Sequence, residues 1–286
     1  MDGIGLSPGS DERQRVVRLL AHEHVHSWNG GLLKPRDPEQ LASWFSEGFT
    51  EFYAGRLLLA AGLITPAQRV DGLNEMLTGY RASPVRNVPN ERIREAFWTD
   101  ASVQRLPYQR GELAAILVDD AIRRTHGGRA SLDDLLREMV AEARSGAAEY
   151  DTEALLARIA RWAGAETADA VRALVVDGAD AVLPPGTWAP WVEVTTRASH
   201  EFELGFDREA SLASGLVTGV REGSAAWEAG VRDGQHVRGL SLPGPDPEAP
   251  VTRTIRDDAG ERALTWRPAG APRTQPCLRL AQPGVF

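Results

Sequence analysis

The sequence has one cysteine, one lysine and no long apolar run. With Cys277 alone, an internal disulfide bond and a thiolate-rich metal site are both excluded, so any metal must be held by histidine and carboxylate side chains. No stretch is apolar enough over its length to span a membrane, and the first residues, MDGIGLSPGS, lack the basic and apolar regions of a secretory signal. We therefore expect no membrane partner. The sequence does not determine the compartment, and a cytoplasmic location is the default expectation.

The overall charge also narrows the range of partners. The net charge of -8 argues against nucleic acid as a partner. A length of 286 residues suffices for two domains with a sizeable core, and the sequence does not indicate an oligomeric state. Arginine carries almost all the positive charge and alanine, glycine and proline are frequent, which is typical of a GC-rich bacterial source.

The first two-thirds of the chain have the patterns of helices. We predict that Ser10 caps a first helix, in which an apolar stripe runs up to the histidines. That stripe comprises Val16, Val17, Leu20 and Ala21. A second helix is predicted over residues 39–62, capped by Asp37, with Pro38 at its first position and Gln40 able to close a capping box. Further helices are predicted over residues 65–79, 109–125, 131–145, 152–163 and 167–177.

The composition changes at VLPPGTWAPW, residues 182–191. Beyond it the pattern is one of short strands and turns, which predicts an α+β protein with a domain boundary near residue 190. The predicted domains are thus residues 1–190, mainly helical, and residues 191–286, small and β-rich. The predicted strands are WVEVTT, HEFELGF, GLVTGV, QHVRGLSL, VTRTIR and RALTWRP, with DDAG as a hairpin turn.

Three of the six histidines lie within five positions, in the segment HEHVH. In a helix His22 and His26 lie on one face, one turn apart, and can ligate one metal. Glu23 is offset by about 100° and would lie beside the metal, where a general base for a water molecule belongs. His24 lies on the opposite side of the helix. An H-E-x-x-H pattern also arises by chance, so a third ligand decides between the two interpretations.

Glu47 is the candidate third ligand. It follows His26 by 21 residues, on the next predicted helix, and the loop between them is long enough for that helix to fold back. Isolated helical glutamates are usually solvated, but the flanking aromatic residues indicate a largely apolar face. A carboxylate buried there needs a partner, and a metal ion is one.

Taken together, four segments resemble the glycyl aminopeptidases of peptidase family M61, which are zinc peptidases of the gluzincin type. The segments are HEHVHSWNG, WFSEGFTEFYAG, LPYQRG with the helix that follows it, and SLDD, in the family's order. The resemblance covers roughly residues 18–190. It implies that His22, His26 and Glu47 bind Zn²⁺ and that Glu23 is the general base that activates water for attack on a peptide carbonyl.

Two further residues have candidate roles, of which only that of Tyr108 is implied by the resemblance. Tyr108 stands where related aminopeptidases have a tyrosine that stabilises the oxyanion, although a packing tyrosine at a helix start is an equal alternative. Glu51 can hydrogen-bond a ligand histidine, with a solvated surface position as the alternative. Trp28 and Asn29 match the family's W-N pair, and we expect them to shape the loop after the first helix.

One expected part of the family pattern is missing. Members carry a β-rich domain before the zinc helix, with a segment that recognises the free amino group of the substrate. No such segment precedes His22, so we expect a fragment, a truncated homologue or a protein that has lost this domain. The expectation of metal binding does not depend on that domain, whereas the expectation of aminopeptidase activity does.

The segment GLVTGVREGSAAWEAGVRDGQHV resembles the core of a bacterial PDZ domain, with a short helix opening at G-S-A-A. Leu204, Gly205 and Phe206 then correspond to the loop that receives a peptide carboxylate. The alternative is a packing module with a degenerate groove. The whole chain is thus predicted to be a zinc aminopeptidase that removes Gly or Ala from peptides. The alternative is a non-catalytic, PDZ-type peptide-binding protein with a vestigial zinc site.

Overall fold

The computed structural model describes residues 11–146, 149–238, 246–257 and 260–282. Helices dominate the first part of the chain and strands the last, which confirms the α+β class. The helices are α1 Asp11–Val25, α2 Glu39–Ser46, α3 Gly48–Ala60, α4 Pro66–Ala82, α5 Asn90–Ala96, α6 Ala101–Gln104, α7 Leu106–Thr125, α8 Leu132–Arg144, α9 Thr152–Ala163, α10 Ala165–Arg172, α11 Arg208–Ser214 and α12 Ala225–Glu228. A π-helical turn, Ala173–Asp177, follows α10.

The strands in the described ranges are from 2 to 12 residues long. They are β1 Lys34–Pro35, β2 Glu149–Tyr150, β3 Val192–Phe202, β4 His236–Arg238, β5 Val251–Asp257, β6 Gly260–Trp266 and β7 Ala269–Leu280. β1 pairs with β2 in parallel, β3 pairs with β7, and β4, β5 and β6 form an antiparallel sheet in that order. No helix in the described ranges has the length and hydropathy needed to cross a membrane.

The chain forms two compact units that are not contiguous in sequence. The first comprises the residues up to Asn74, Val85–Val194 and the residues from Leu278 onward, and the second comprises Glu75–Pro84 and Thr195–Cys277. The predicted domains, 1–190 and 191–286, remain a prediction. The two compact units differ from them, because Glu75–Pro84 belongs to the second unit and the residues from Leu278 onward belong to the first.

Aromatic side chains form much of the core of the first unit. Trp44, Phe45, Phe49 and Phe52 are buried on α2 and α3, and Phe45 and Phe49 lie with their ring centroids 4.6 Å apart. Fully burying side chains of this size stabilises a fold by about 1.5–3 kcal/mol each. These residues flank Glu47, so the apolar surroundings expected for that carboxylate are present.

The second unit has a core of its own. Trp266 on β6 is buried and donates a hydrogen bond from Nε1 to the backbone oxygen of Leu204 at 3.1 Å. Leu204 and Phe206 are themselves buried in this core. The short helix predicted at G-S-A-A is α12, capped by the Ser224 side chain. A PDZ-like fold for this part of the chain remains a prediction.

Several local predictions were wrong. Val16 and Leu20 are 38% and 62% exposed, so the predicted apolar stripe is not buried at these two residues. Val17 and Ala21 are half-buried, and Val25 is buried. Asp37 does not cap α2, because its carboxylate accepts hydrogen bonds from Thr152 instead. The predicted cap Ser10 lies outside the described residues, as do residues 239–242 of the strand QHVRGLSL and residues 258 and 259 of the DDAG turn.

The predicted strands also differ from the observed ones. WVEVTT and HEFELGF form parts of one strand, β3, and GLVTGV contributes only an isolated bridge between Leu216 and His236. The missed elements are α5, α6, α11, β1, β2 and β7, which are short or, for β7, contain glycine and proline. Short elements have few residues with which to establish a periodicity, so tertiary contacts decide them.

Candidate metal centre

His22 and His26 lie on one face of α1 near its end. Their Nε2 atoms are 3.0 Å apart, and their rings meet edge to face with centroids 4.7 Å apart. The spacing of four residues places one ring a turn beyond the other, so both can address the same point. His24 is exposed and does not take part.

Glu47 approaches the two histidines from the junction between α2 and α3. Its Oε2 atom lies 3.2 Å from His22 Nε2 and 3.4 Å from His26 Nε2. Within the described ranges, these residues form the one group of three metal-ligating side chains with mutually close donor atoms. The structure therefore brings together the three predicted ligands.

The spacing of the three atoms fits a tetrahedral zinc ion. Ligand atoms bound at zinc distances of about 2.0–2.1 Å in a tetrahedron are about 3.3–3.4 Å apart. The observed separations of 3.0, 3.2 and 3.4 Å lie close to this value. Two imidazoles and one carboxylate leave a fourth position open, as in catalytic rather than structural zinc sites.

The outer nitrogens of both rings have partners that favour lone pairs on the inner nitrogens. His26 Nδ1 lies 2.9 Å from the backbone oxygen of Asn29, which can only accept, so Nδ1 donates and the neutral ring has its lone pair on Nε2. His22 Nδ1 lies 2.9 Å from Glu51 Oε1, a carboxylate oxygen whose negative charge favours a proton on Nδ1. Partners of this kind fix the orientation of metal-binding histidines.

Asn29 connects this loop to the Glu47 junction. Its side chain is buried, and Nδ2 lies 3.1 Å from each of three acceptors, the backbone oxygens of Phe45 and Ser46 and the hydroxyl of Thr50. One residue thus contacts His26 through its backbone and the helix junction beside Glu47 through its side chain. The W-N pattern indicated a loop-shaping role for Asn29, but these contacts could not be read from it.

Two carboxylates make the cluster attractive to a cation. Burial lowers the pKa of His22, but contacts with Glu47 and Glu51 outweigh this effect and raise the pKa from 6.5 to about 9. Burial likewise raises the pKa of Glu47, yet its contacts with His22 and His26 hold it below its usual value. The cluster therefore favours added positive charge, whether a proton or a metal ion.

Glu23 and Tyr108 lie on the same cleft as His22. This cleft has a volume of about 420 Å³ and is lined by Arg15, Arg18, Leu19, His22, Glu23, Glu51 and Tyr108. Glu23 is exposed, and the ring of Tyr108 stacks on His22 with a centroid distance of 6.1 Å. Burial raises the pKa of Tyr108 well above its usual value, and the negative charge of Glu47 adds to the rise. The phenol therefore keeps its proton at neutral pH.

A comparison with known protein families matches the part of the chain that contains the candidate metal centre. Residues 15–105 match the family model of the M61 glycyl aminopeptidases. The matched segment contains Glu23, Glu51 and the three residues of the cluster, and it ends shortly before Tyr108.

The structural comparison concerns the fold. The crystal structure of an aminopeptidase N family protein from Idiomarina loihiensis is similar to this chain with a TM-score of 0.66 and 18% sequence identity. The similarity covers 99% of this chain and 56% of that chain, so this chain spans little more than half of the related structure. A comparison with curated proteins found no match.

Two glycines allow the helices that carry Glu47 and Tyr108 to approach closely. A Cβ atom on Gly48 would lie 2.2 Å from the Cα of Gly111, and one on Gly111 would lie 1.8 Å from the backbone oxygen of Trp44. Side chains at either position would separate α3 from α7. Gly48 directly follows Glu47 and Gly111 lies one turn after Tyr108, so this contact sets the distance between those two residues.

The predicted peptide-binding loop lies in the second unit. Gly205 has a φ of 90° and packs against Ala226 and Ser224, and its backbone oxygen accepts a hydrogen bond from the backbone N–H of Arg221. The side chains of Leu204 and Phe206 are buried, so only their backbone could meet a ligand. Peptide binding by these three residues remains a prediction.

Proposed function

We propose that this protein is a zinc-dependent aminopeptidase that removes small N-terminal residues, Gly or Ala, from peptides. The main support is the arrangement of His22, His26 and Glu47, whose donor atoms have the spacing of a tetrahedral zinc site with one open position. The match of residues 15–105 to a peptidase family favours this proposal over a non-catalytic, PDZ-type peptide-binding protein.

Zinc bound at this site would act as a Lewis acid and would lower the pKa of a water molecule toward ~7. In the proposed reaction, the Glu23 carboxylate would accept a proton from the attacking water as the water oxygen bonds to the peptide carbonyl carbon, and would pass that proton to the amine nitrogen as the C–N bond breaks. Glu23 suits this role because it follows His22 in the helix, is exposed to the cleft and is not one of the three clustered ligands.

Tyr108 is proposed to stabilise the negative charge that develops on the carbonyl oxygen. It can do so only as a donor, and its raised pKa keeps the hydroxyl protonated at neutral pH. Its stacking on His22 places it beside the cluster without making it a ligand. A PDZ-like domain over residues 191–286 is a separate proposal, on which this reaction does not depend.

The proposal is tested by comparing Glu23→Gln with His22→Ala and with wild-type protein. Purified wild-type protein reconstituted with zinc should contain close to one zinc per chain and hydrolyse Gly- and Ala-anilides. Glu23→Gln should keep its zinc and lose about 10²–10⁴-fold in rate, because the amide cannot accept a proton. His22→Ala should lose the metal, because only two protein ligands remain.

His24→Gln provides the matched control, since His24 is the exposed histidine of the same helix. It should keep both the zinc and the activity. Absence of zinc from reconstituted wild-type protein would overturn the proposal at its base. Loss of zinc from Glu23→Gln would show that Glu23 is a ligand rather than the general base.

A further inference from the structure

The face of α1 that carries the metal-ligating histidines continues toward the helix start with two arginines. Arg18 lies four residues before His22 and Arg15 seven, so all three share one helical face. Arg15, Arg18, His22 and Glu23 all line the same cleft. The part of the cleft wall that α1 forms therefore carries two guanidinium groups beside the carboxylate of Glu23.

Both arginines are exposed to solvent. Arg18 Nη2 lies 3.9 Å from Glu51 Oε2, beyond hydrogen-bonding distance, and the Arg18 side chain is 50% exposed. Arg15 lines the cleft and is exposed to solvent. Both guanidinium groups can thus take an anionic partner, for which their planar donor arrangement is suited.

The positions of the arginines indicate where such an anion would lie on a substrate. At a rise of 1.5 Å per residue, Arg18 and Arg15 are about 6 and 10 Å from His22 along the helix axis. An extended peptide advances about 3.3–3.6 Å per residue. A carboxylate one to three residues beyond the scissile bond would therefore come within reach of these side chains.

We propose that Arg15 and Arg18 bind a carboxylate of the substrate on the leaving side of the scissile bond. The inference rests on the proposed peptidase function and adds to it a substrate class: short peptides, through their C-terminal carboxylate, or peptides with an acidic side chain. Both sources present the same chemical group. An aminopeptidase cleft with this wall prefers acidic or very short substrates to neutral, blocked ones.

The test uses three peptides of equal length, Gly-Gly-Gln-amide, Gly-Gly-Glu-amide and Gly-Gly-Gln with a free C-terminus. For the zinc-loaded wild-type protein, kcat/KM should be about tenfold higher for at least one carboxylate peptide than for the neutral amide. The second peptide reports an acidic side chain and the third a C-terminal carboxylate. Equal kcat/KM values for all three peptides would overturn the inference.

Arginine variants assign the preference to these side chains. In the double variant Arg15→Gln/Arg18→Gln, the ratio of kcat/KM for the preferred carboxylate peptide to kcat/KM for the neutral amide should fall from about ten to about one. Arg13→Gln is the matched control, because Arg13 lies on the same helix and does not line the cleft. A preference that survives in the double variant, or disappears in Arg13→Gln, would contradict the assignment.

A binding measurement separates this inference from the proposed function. Glu23→Gln protein should bind the preferred carboxylate peptide more tightly than the neutral amide in a calorimetric titration, even if no peptide is hydrolysed. Zinc content should be unchanged in Arg15→Gln and Arg18→Gln. If Arg18→Gln loses zinc, Arg18 supports Glu51 and His22 instead of binding substrate, and the proposal fails for that residue.

Discussion

At the scale of single residues, Asn29 joins the loop after α1 to the junction between α2 and α3. Its backbone oxygen accepts from His26, and its buried Nδ2 group contacts both backbone oxygens at the end of α2 and the Thr50 hydroxyl. Because these acceptors flank Glu47, Asn29 holds the loop after α1 against the helix junction that carries the third ligand.

We therefore predict that Asn29→Ala lowers the free energy of unfolding by about 1–3 kcal/mol, since buried acceptors lose their donor. Zinc affinity should also fall by about 10–100-fold, as for other residues that support metal ligands. Chelator competition measures the affinity, and thermal unfolding followed by circular dichroism measures the stability.

Asn29→Asp is the sharper comparison, because it keeps the shape of the side chain but replaces the donor with an acceptor. It should destabilise the protein at least as much as Asn29→Ala at neutral pH, because a carboxylate would face backbone oxygens. Zinc affinity at the wild-type level in both variants would show that Asn29 does not position the ligands.

At the scale of elements, an ion pair and a hydrogen bond connect α3 to α8. Asp133 accepts hydrogen bonds from Arg56 at 2.6 Å and from the Tyr53 hydroxyl at 2.7 Å. Burial alone would raise the pKa of Asp133, but the hydrogen bond and charge of Arg56, together with Tyr53, lower it below its usual 3.8. The ionised form of Asp133 is therefore the one that the folded protein stabilises.

This gives a pH-dependent prediction for Asp133→Asn. A lowered folded-state pKa adds stability that is fully present above the unfolded pKa of 3.8 and is lost as the pH falls through the lower folded value. The variant should be less stable than wild type by about 1–2 kcal/mol at pH 5 and pH 7. The difference should shrink only below about pH 4.

Denaturant unfolding at several pH values measures that difference, with the exposed Asp71→Asn on α4 as the control that should show little change. A deficit for Asp133→Asn that is already gone at pH 5 would contradict the assignment of a lowered pKa to Asp133.

The sequence predicted most of the long helices, because their periodicity and caps are local. Residues 152–163 were predicted and observed as a helix, and Ser131 forms a capping box with Asp134 at the start of α8. The helix predicted over residues 39–62 is interrupted at Glu47, where α2 ends and α3 begins. Asn29 Nδ2 contacts the backbone oxygens of Phe45 and Ser46 just before this break, and the continuous apolar pattern could not reveal that contact.

The segments WFSEGFTEFYAG and LPYQRG were recognised by resemblance to a family, and the structure shows which contacts their residues make. The glycines after Glu47 and after Tyr108 meet each other between α3 and α7. Arg110, between Tyr108 and Gly111, is buried and donates to the backbone oxygens of Arg86 and Val88 at 2.6 Å. These contacts join segments far apart in sequence, so they follow from the tertiary structure and not from local pattern.

At the scale of the whole molecule, the end of the chain belongs to the unit that contains the candidate metal centre. Leu278 is 4% exposed, and its backbone exchanges two hydrogen bonds with the Asn74 side chain, at 2.8 and 2.9 Å. The backbone N–H groups of Ala281 and Gln282 donate to the backbone oxygen of Trp191. A boundary placed near residue 190 from composition cannot include these contacts, because they involve residues nearly 90 positions later.

We accordingly predict that a fragment of residues 1–190 is less stable than the full chain and binds zinc more weakly. Leu278→Ala in the full chain should lower the free energy of unfolding by about 2–5 kcal/mol, as expected for a buried leucine. Leu212→Ala, at a leucine that is 50% exposed, should change it by about 0.5 kcal/mol or less. Thermal unfolding with and without zinc measures both effects, because a metal that binds only the folded state raises its melting temperature. If the fragment matches the full chain in melting temperature and zinc affinity, the residues from Leu278 onward contribute nothing to this unit, and a contiguous domain ending near residue 190 is the correct description.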